Sequence, residues 1–131
     1  MLVVYGTLMP GMPGWNELGL AGRLRPVRTV LGAGAMFDLG AYPGLVLSEP
    51  GSWIGRLCEA IDPTVLADMD RFEGLGRTGS RSEPGFRRGF TTLADGTRAL
   101  VYEYVGPTAE FDRVPGGDWS ARWCARLAQA A

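Results

Sequence analysis

A carboxylate set among apolar side chains at the end of a helix is placed to move protons, and Glu73 has that setting. In the segment "DPTVLADMDRFEG", residues 62–74, Leu66, Met69 and Glu73 fall at i, i+3 and i+7 and so share one helix face. Glu73 also stands just before Gly74 at the C-terminal end of that helix, where the macrodipole disfavours a carboxylate by ~0.3–1 kcal/mol. Burial and dipole both favour the protonated form, so the carboxyl is expected above its reference pKa of about 4.3. The chain contains no histidine, which removes the usual neutral-pH proton shuttle and leaves a carboxyl poised near neutrality as the natural substitute. The plainer alternative is a Glu73 paired with Arg71 or Arg77 at a frayed helix end. Asp70, one turn earlier and at the side of the apolar stripe, reads mainly as a solvated or locally hydrogen-bonded carboxylate, with support of the site as the lesser alternative.

A second chemistry-bearing stretch opens the chain. "LVVYGTLMPG", residues 2–11, begins with the β-branched and aromatic residues of a strand interior, yet Gly6 weakens that strand and Pro10-Gly11 ends it. A strand that gives up side-chain packing at Gly6, Thr7 and Leu8 exposes its backbone to something, and an ordinary strand-terminating turn is the alternative. Tyr5 and Tyr42 carry hydroxyls that a site can use, although Tyr42 also reads as a packed turn tyrosine. Strand alternation sends Arg87 and Arg88 to opposite faces, so at most one of them reaches a cavity on either face.

The elements that must position these residues follow from punctuation and period. Met9 to Gly22 reads as a loop with at most one helical turn around residues 15–18, long enough to form a pocket rim. "VRTVLGAGAMFDL" suggests one long strand over 27–39 with a Gly-rich middle, and "GAYPGLVL" turns at Pro43-Gly44 into another. Gly32 and Gly34 make no dinucleotide fingerprint, since no third glycine or helix follows. "SWIGRLCEAI" is a strand up to Ile61, Asp62 an N-cap, and Pro63 the first position of a helix running to about Phe72. The stretch Gly74–Gly85 is too rich in Gly, Ser and Pro for regular structure and reads as a mobile surface loop. "FRRGFTTLADGTRALVYEYVG" is a hairpin turning at Asp95-Gly96. Asp118 caps a final helix in which Trp119, Trp123 and Leu127 recur every four residues and should pack on the sheet. The sum is about six strands with one mid-chain and one C-terminal helix: an α+β chain with a curved sheet or small β-barrel, in a single domain over residues 1–131.

Composition narrows the partners. The chain has 131 residues, 46% hydrophobic and 21% charged, enough for one core. Its net charge of −1, with basic residues scattered and all of them Arg, shows neither a nucleic-acid footprint nor a polybasic membrane patch. No run approaches the roughly 20 apolar residues of a membrane helix, and the first residues lack the positive region of a signal peptide. Cys58 and Cys124 are too few for a disulfide scaffold or zinc site and read as two buried thiols in a reducing cytoplasm. A small uncharged or mildly polar molecule is the expected partner.

Taken together, "VYGTL" at 4–8, "YPGL" at 42–45, "DRFEG" at 70–74 behind the strand "GRLCEAI", "FRR" at 86–88 and "GGDW" at 116–119 resemble the gamma-glutamylcyclotransferase-like proteins, in order and spacing over nearly the whole chain. The resemblance, closest to the gamma-glutamylamine cyclotransferase type, implies a small mixed barrel with a cavity at one end. In it Tyr5, Gly6, Thr7 and Leu8, with Tyr42 and Phe86, hold a gamma-glutamyl group, and Glu73 is the general acid/base. It implies that a gamma-glutamyl amine or gamma-glutamyl amino acid closes to 5-oxoproline and expels the free amine, with no metal or cofactor. One departure stands out: many relatives carry a tyrosine before the Arg-Arg dipeptide, and Phe86 lacks that hydroxyl. The loop ahead of it, Leu75–Gly85, is also longer and more polar than the resemblance leads one to expect. These departures keep open a non-catalytic binding module for a gamma-glutamyl or 5-oxoproline-like metabolite, and, further off, an interaction protein using the Trp119/Trp123 face.

Overall fold

The computed structural model describes residues 1–75 and 85–130. The expected polar loop therefore lies, except for its ends, outside the described residues, as does Arg77. Along the described chain run β1 (Leu2–Val4), α1 (Pro13–Glu17), β2 (Leu24–Ala33), β3 (Ala35–Asp38), β4 (Pro43–Val46), β5 (Ser52–Ala60), α2 (Val65–Phe72), β6 (Phe86–Thr92), β7 (Arg98–Tyr104) and α3 (Trp119–Ala130). A short 3-10 turn at Pro115–Gly117 precedes α3.

Five strands form one curved sheet in the order β2-β5-β1-β7-β6, and β3 and β4 pair separately. The short β1 lies in the middle, antiparallel to β5 through Val3↔Leu57 and parallel to β7 at Leu2↔Leu100. All three of its residues are buried, so the apolar run predicted from "LVV" is the centre of the core. The sheet does not close. Its edge strands β2 and β6 are not paired with each other; instead the turn of the β6–β7 hairpin reaches across, Ala94 N–H donating to the Leu31 carbonyl at 2.9 Å and Arg28 to Asp95 at 2.6 Å. The curved sheet expected above is what forms, and the barrel alternative is corrected: a side-chain and turn contact stands where a barrel would need a strand ladder.

The long strand expected over 27–39 is two. Gly34 breaks it at φ +141, where a Cβ would meet the backbone of Val46 and Leu47 at 3.1 Å. Gly32 leaves room for the wholly buried Trp53, whose ring would lie 2.2 Å from a Cβ there and whose indole N–H donates to the Ala33 carbonyl at 3.1 Å. Pro43 and Gly44 belong to β4 rather than to the turn before it.

Helix α2 starts at Val65, two residues later than expected, because Asp62 forms a side-chain turn that accepts from the Thr64 N–H and hydroxyl at 2.9 and 2.8 Å. Arg23 ties that turn and the helix to the start of β2 through Asp62 at 2.7 Å and Asp68 at 2.6 Å. Asp118 caps α3 as its sequence suggests, accepting from Ala121 N–H at 3.1 Å. The apolar stripe of α3 is shorter than expected: Trp119 is buried, Trp123 half-buried and Leu127 exposed. Polar contacts complete the docking, Asp38 of β3 accepting from Arg122 at 2.5 Å and from Arg126. The thiols also divide. Cys58 is buried in β5, with its pKa pushed up to about 11 by burial, whereas Cys124 is exposed on α3.

Candidate active site

The chain leaves β1 at Tyr5 and turns at once. Gly6 carbonyl accepts from Met9 N–H, and Thr7 carbonyl from Trp15 N–H, both at 3.0 Å, which commits the carbonyls of the turn to the protein. Among the described residues the N–H groups of Thr7 and Leu8 have no acceptor. Helix α1 braces this turn from behind: a Cβ on Gly14 would stand 2.7 Å from the Thr7 carbonyl oxygen. Gly6 has a reason beyond the one its sequence suggests, since the ring of Pro43 occupies the space a Cβ would need, at 2.6 Å.

In front of the turn opens a cavity of about 400 Å³, within the range of small-molecule sites. Tyr5, Gly6, Thr7, Leu8, Tyr42, Glu73 and Phe86 all line it, so the structure brings together every residue singled out for the site. Pro13, Gly14 and Glu17 form the rim expected of the loop after β1. One wall is aromatic: Phe86 packs against Tyr42 at 5.8 Å and against Tyr104 at 5.6 Å between ring centroids.

Glu73 follows the last residue of α2 and donates its backbone N–H to Met69 carbonyl at 3.0 Å. Its side chain is half-buried at the cavity wall, and desolvation pushes its pKa up to about 7. At neutral pH the group therefore exchanges readily between acid and base. Arg71 pairs with Asp68 rather than with Glu73.

Residues β6 and β7 contribute in strict alternation. On one face Arg87 and Glu103 pair at 2.7 Å and stay away from the cavity. On the other, Phe86 and Tyr102 reach the cavity, and Arg88, opposite Tyr102 in the ladder, ion-pairs with Asp70 at 2.6 Å. Neither arginine lines the cavity; each guanidinium is paired instead with a carboxylate of the protein, Glu103 or Asp70.

Asp70 is corrected most. It is buried rather than solvated, and its second oxygen accepts from the Tyr102 hydroxyl at 2.7 Å. The pair of contacts fastens the last turn of α2 to the hairpin and thereby fixes where Glu73 points. Tyr5 is the converse case: its buried hydroxyl donates to Tyr102 carbonyl at 2.5 Å, which commits its proton to the fold. Burial, followed by the Glu73 charge, raises the Tyr5 pKa, so it stays protonated.

Sequence reasoning missed Tyr102 and Gly14. The signal for Tyr102 was its two-residue offset from Tyr104 opposite Phe86, readable only once the hairpin register is known. Gly14 carried none that separates it from the other loop glycines.

The family model described as "Gamma-glutamyl cyclotransferase, AIG2-like" matches residues 2–121. No curated protein sequence matches. Among solved structures, an uncharacterized protein from Pyrococcus horikoshii superposes with a TM-score of 0.72 at 19% identity, covering 97% of this chain and 95% of its own. A uropathogenic E. coli-specific protein gives 0.71 at 20% identity, covering 94% of each chain. An AIG2-like protein from Mus musculus gives 0.69 at 18% identity, covering 89% of this chain and 86% of its own.

Proposed function

Since this chain belongs to the gamma-glutamyl cyclotransferase, AIG2-like family, we propose that it is a cofactor-independent cytoplasmic enzyme, one domain over residues 1–131, that converts a gamma-glutamyl amine or gamma-glutamyl amino acid to 5-oxoproline and the free amine. The observation that carries this reading is a carboxyl that burial raises to about 7, lining the same cavity as Thr7 and Leu8, whose main-chain N–H groups have no acceptor among the described residues.

The nucleophile is part of the substrate. Held folded against the aromatic wall, the α-amine lies next to its own γ-carbonyl, and intramolecular attack needs no second molecule. Glu73 as carboxylate takes a proton from the α-ammonium, and the freed nitrogen lone pair forms the lactam C–N bond. Negative charge then develops on the γ-oxygen, where the N–H groups of Thr7 and Leu8 are suited to receive it. As the tetrahedral centre collapses, the bond to the leaving nitrogen breaks and protonated Glu73 gives that nitrogen its proton. The second proton lost from the α-ammonium leaves with the amine as its ammonium ion. Each half of this transfer asks for a group near neutrality, and such acid–base catalysis is worth ~10²–10⁴-fold.

The binding-module alternative draws on the hydroxyl missing at Phe86. Against it, the cavity keeps a tyrosine, Tyr102, on the adjoining strand. The test is 5-oxoproline release from gamma-glutamyl-ε-lysine, gamma-glutamyl-alanine and glutathione, with Glu73→Gln as control. Release by the native protein, lost ~10²-fold or more in the variant, supports the enzyme. Silence across the panel from a protein that still binds 5-oxoproline supports the module.

A further inference from the structure

We propose that Tyr102 is the substrate-binding acceptor for the reacting nitrogen, its hydroxyl oxygen receiving a hydrogen bond from the α-amino group before ring closure and from the lactam N–H after it. The assignment rests on the gamma-glutamyl reading of the cavity and deepens it, because it gives the nucleophile a partner distinct from its base.

The argument is one of hydrogen-bond inventory. A tyrosine hydroxyl has one proton to donate and two lone pairs to accept with. In Tyr102 the proton is committed: it goes to Asp70 at 2.7 Å, and Asp70 is held in turn by Arg88 at 2.6 Å. Both anchoring groups stand outside the cavity lining, whereas Tyr102 is part of it. What Tyr102 has left to offer a ligand is an acceptor, and an acceptor selects an N–H. Burial, with the hydrogen bond to Asp70, raises the Tyr102 pKa well above 10, so the group remains a neutral phenol throughout the working range.

Glu17 and Tyr42 also line the cavity but are exposed at its rim, and its remaining polar groups are less suited to this part. The Tyr5 hydroxyl is committed to Tyr102 carbonyl, and the N–H groups of Thr7 and Leu8 are donors that repel an ammonium. Glu73 accepts, but it must take the proton away and then return it elsewhere, whereas a fixed neutral acceptor keeps the nitrogen oriented while the proton moves. Tyr102 and Glu73 line the same cavity. Asp70 is a positioning residue on this account: lying one turn before Glu73 on α2 and fastened to Tyr102 on β7, it sets acceptor and base in a fixed relation. The hydroxyl absent at Phe86 is thus supplied from the neighbouring strand.

The test compares two ligands that differ only at the reacting atom, 5-oxoproline and 3-oxocyclopentane-1-carboxylate, in which the lactam N–H is a methylene. Calorimetric titration of the native protein should show 5-oxoproline binding about tenfold tighter, the worth of one net hydrogen bond, and in Tyr102→Phe the two should bind within about threefold of each other. Native protein that binds the two alike, or does not bind 5-oxoproline, overturns the assignment without any variant. A Tyr102→Phe protein that weakens both ligands equally, or keeps the preference, also overturns it, since a purely structural tyrosine would act on both. The release assay is scored separately. Absence of turnover with the preference intact in native protein and lost in Tyr102→Phe refutes the enzyme reading and supports Tyr102; turnover without the preference refutes Tyr102 alone.

Discussion

Replacing Glu73 with Gln should stabilise the protein at alkaline pH. In the unfolded chain the carboxyl titrates at its ordinary 4.5, and in the folded protein desolvation raises it to about 7. The sign follows from proton binding. Below pH 4 the carboxyl is protonated in both states and contributes nothing. Between 4.5 and 7 the folded state holds a proton that the unfolded state has lost, so stability declines as the pH rises, and above 7 both are ionised and the folded state carries the full cost of a desolvated charge. The gap between about 7 and 4.5, at about 1.36 kcal/mol for each pH unit, is roughly 3 kcal/mol. Screening through the open cavity reduces it to about 2 kcal/mol. Gln fills the same volume and never ionises. Thermal melts at pH 4 and pH 8 should therefore show the two proteins together at the first and Glu73→Gln ahead by roughly 5–8 °C at the second. A variant no more stable than the native protein at pH 8 would refute the claim that the Glu73 carboxyl is desolvated at the cavity wall.

The same titration sets the rate profile: kcat/KM should fall about tenfold for each pH unit below about 7 as Glu73 is protonated, and a profile flat to pH 5 would exclude it as the base. Gly14→Ala places a methyl 2.7 Å from the Thr7 carbonyl and should displace the Gly6–Leu8 turn, lowering kcat/KM by about 10–100-fold while the melting temperature changes far less. Asp38→Ala leaves Arg122 and Arg126 without their shared carboxylate and should cost about 2–4 kcal/mol in urea unfolding. Although desolvation works against it, the hydrogen bonds from Arg126 and Arg122 hold the Asp38 pKa below 3.8, so its contribution is complete above that pH and is lost on further acidification. Native and variant stabilities should accordingly converge in strong acid.

Local features were legible in the sequence. The hairpin at Asp95-Gly96 and the cap at Asp118 each depend on residues a few positions apart, and turn chemistry exposes them; the apolar face that carries Glu73 shows in helix periodicity, although the walls that desolvate it come from distant strands. The misreadings share the opposite property. Asp70 is indistinguishable from a solvated helix aspartate until β6 and β7 bring Arg88 and Tyr102 to it, and the break between β2 and β3 falls at Gly34, against the backbone of Val46 and Leu47 from another part of the chain. Leu127 keeps the four-residue spacing of Trp119 and Trp123, yet it stays exposed, and α3 is docked by ion pairs from Arg122 and Arg126 to Asp38, a partner 84 or more positions away that periodicity does not reveal. Sheet closure lay beyond pattern reading altogether, since edge strands and barrel strands alternate alike.

The central position of β1 governs the order in which the molecule is built. Its neighbours β5 and β7 are made long after it, and Leu2 meets its parallel partner Leu100 only when nearly the whole chain is available. These pairings join residues distant in sequence, a topology that makes for slow folding. The pocket shares this property: its lining joins Val3–Leu8 to Phe72–Gly74, Phe86 and Tyr102, so no short fragment of the chain contains all of its walls.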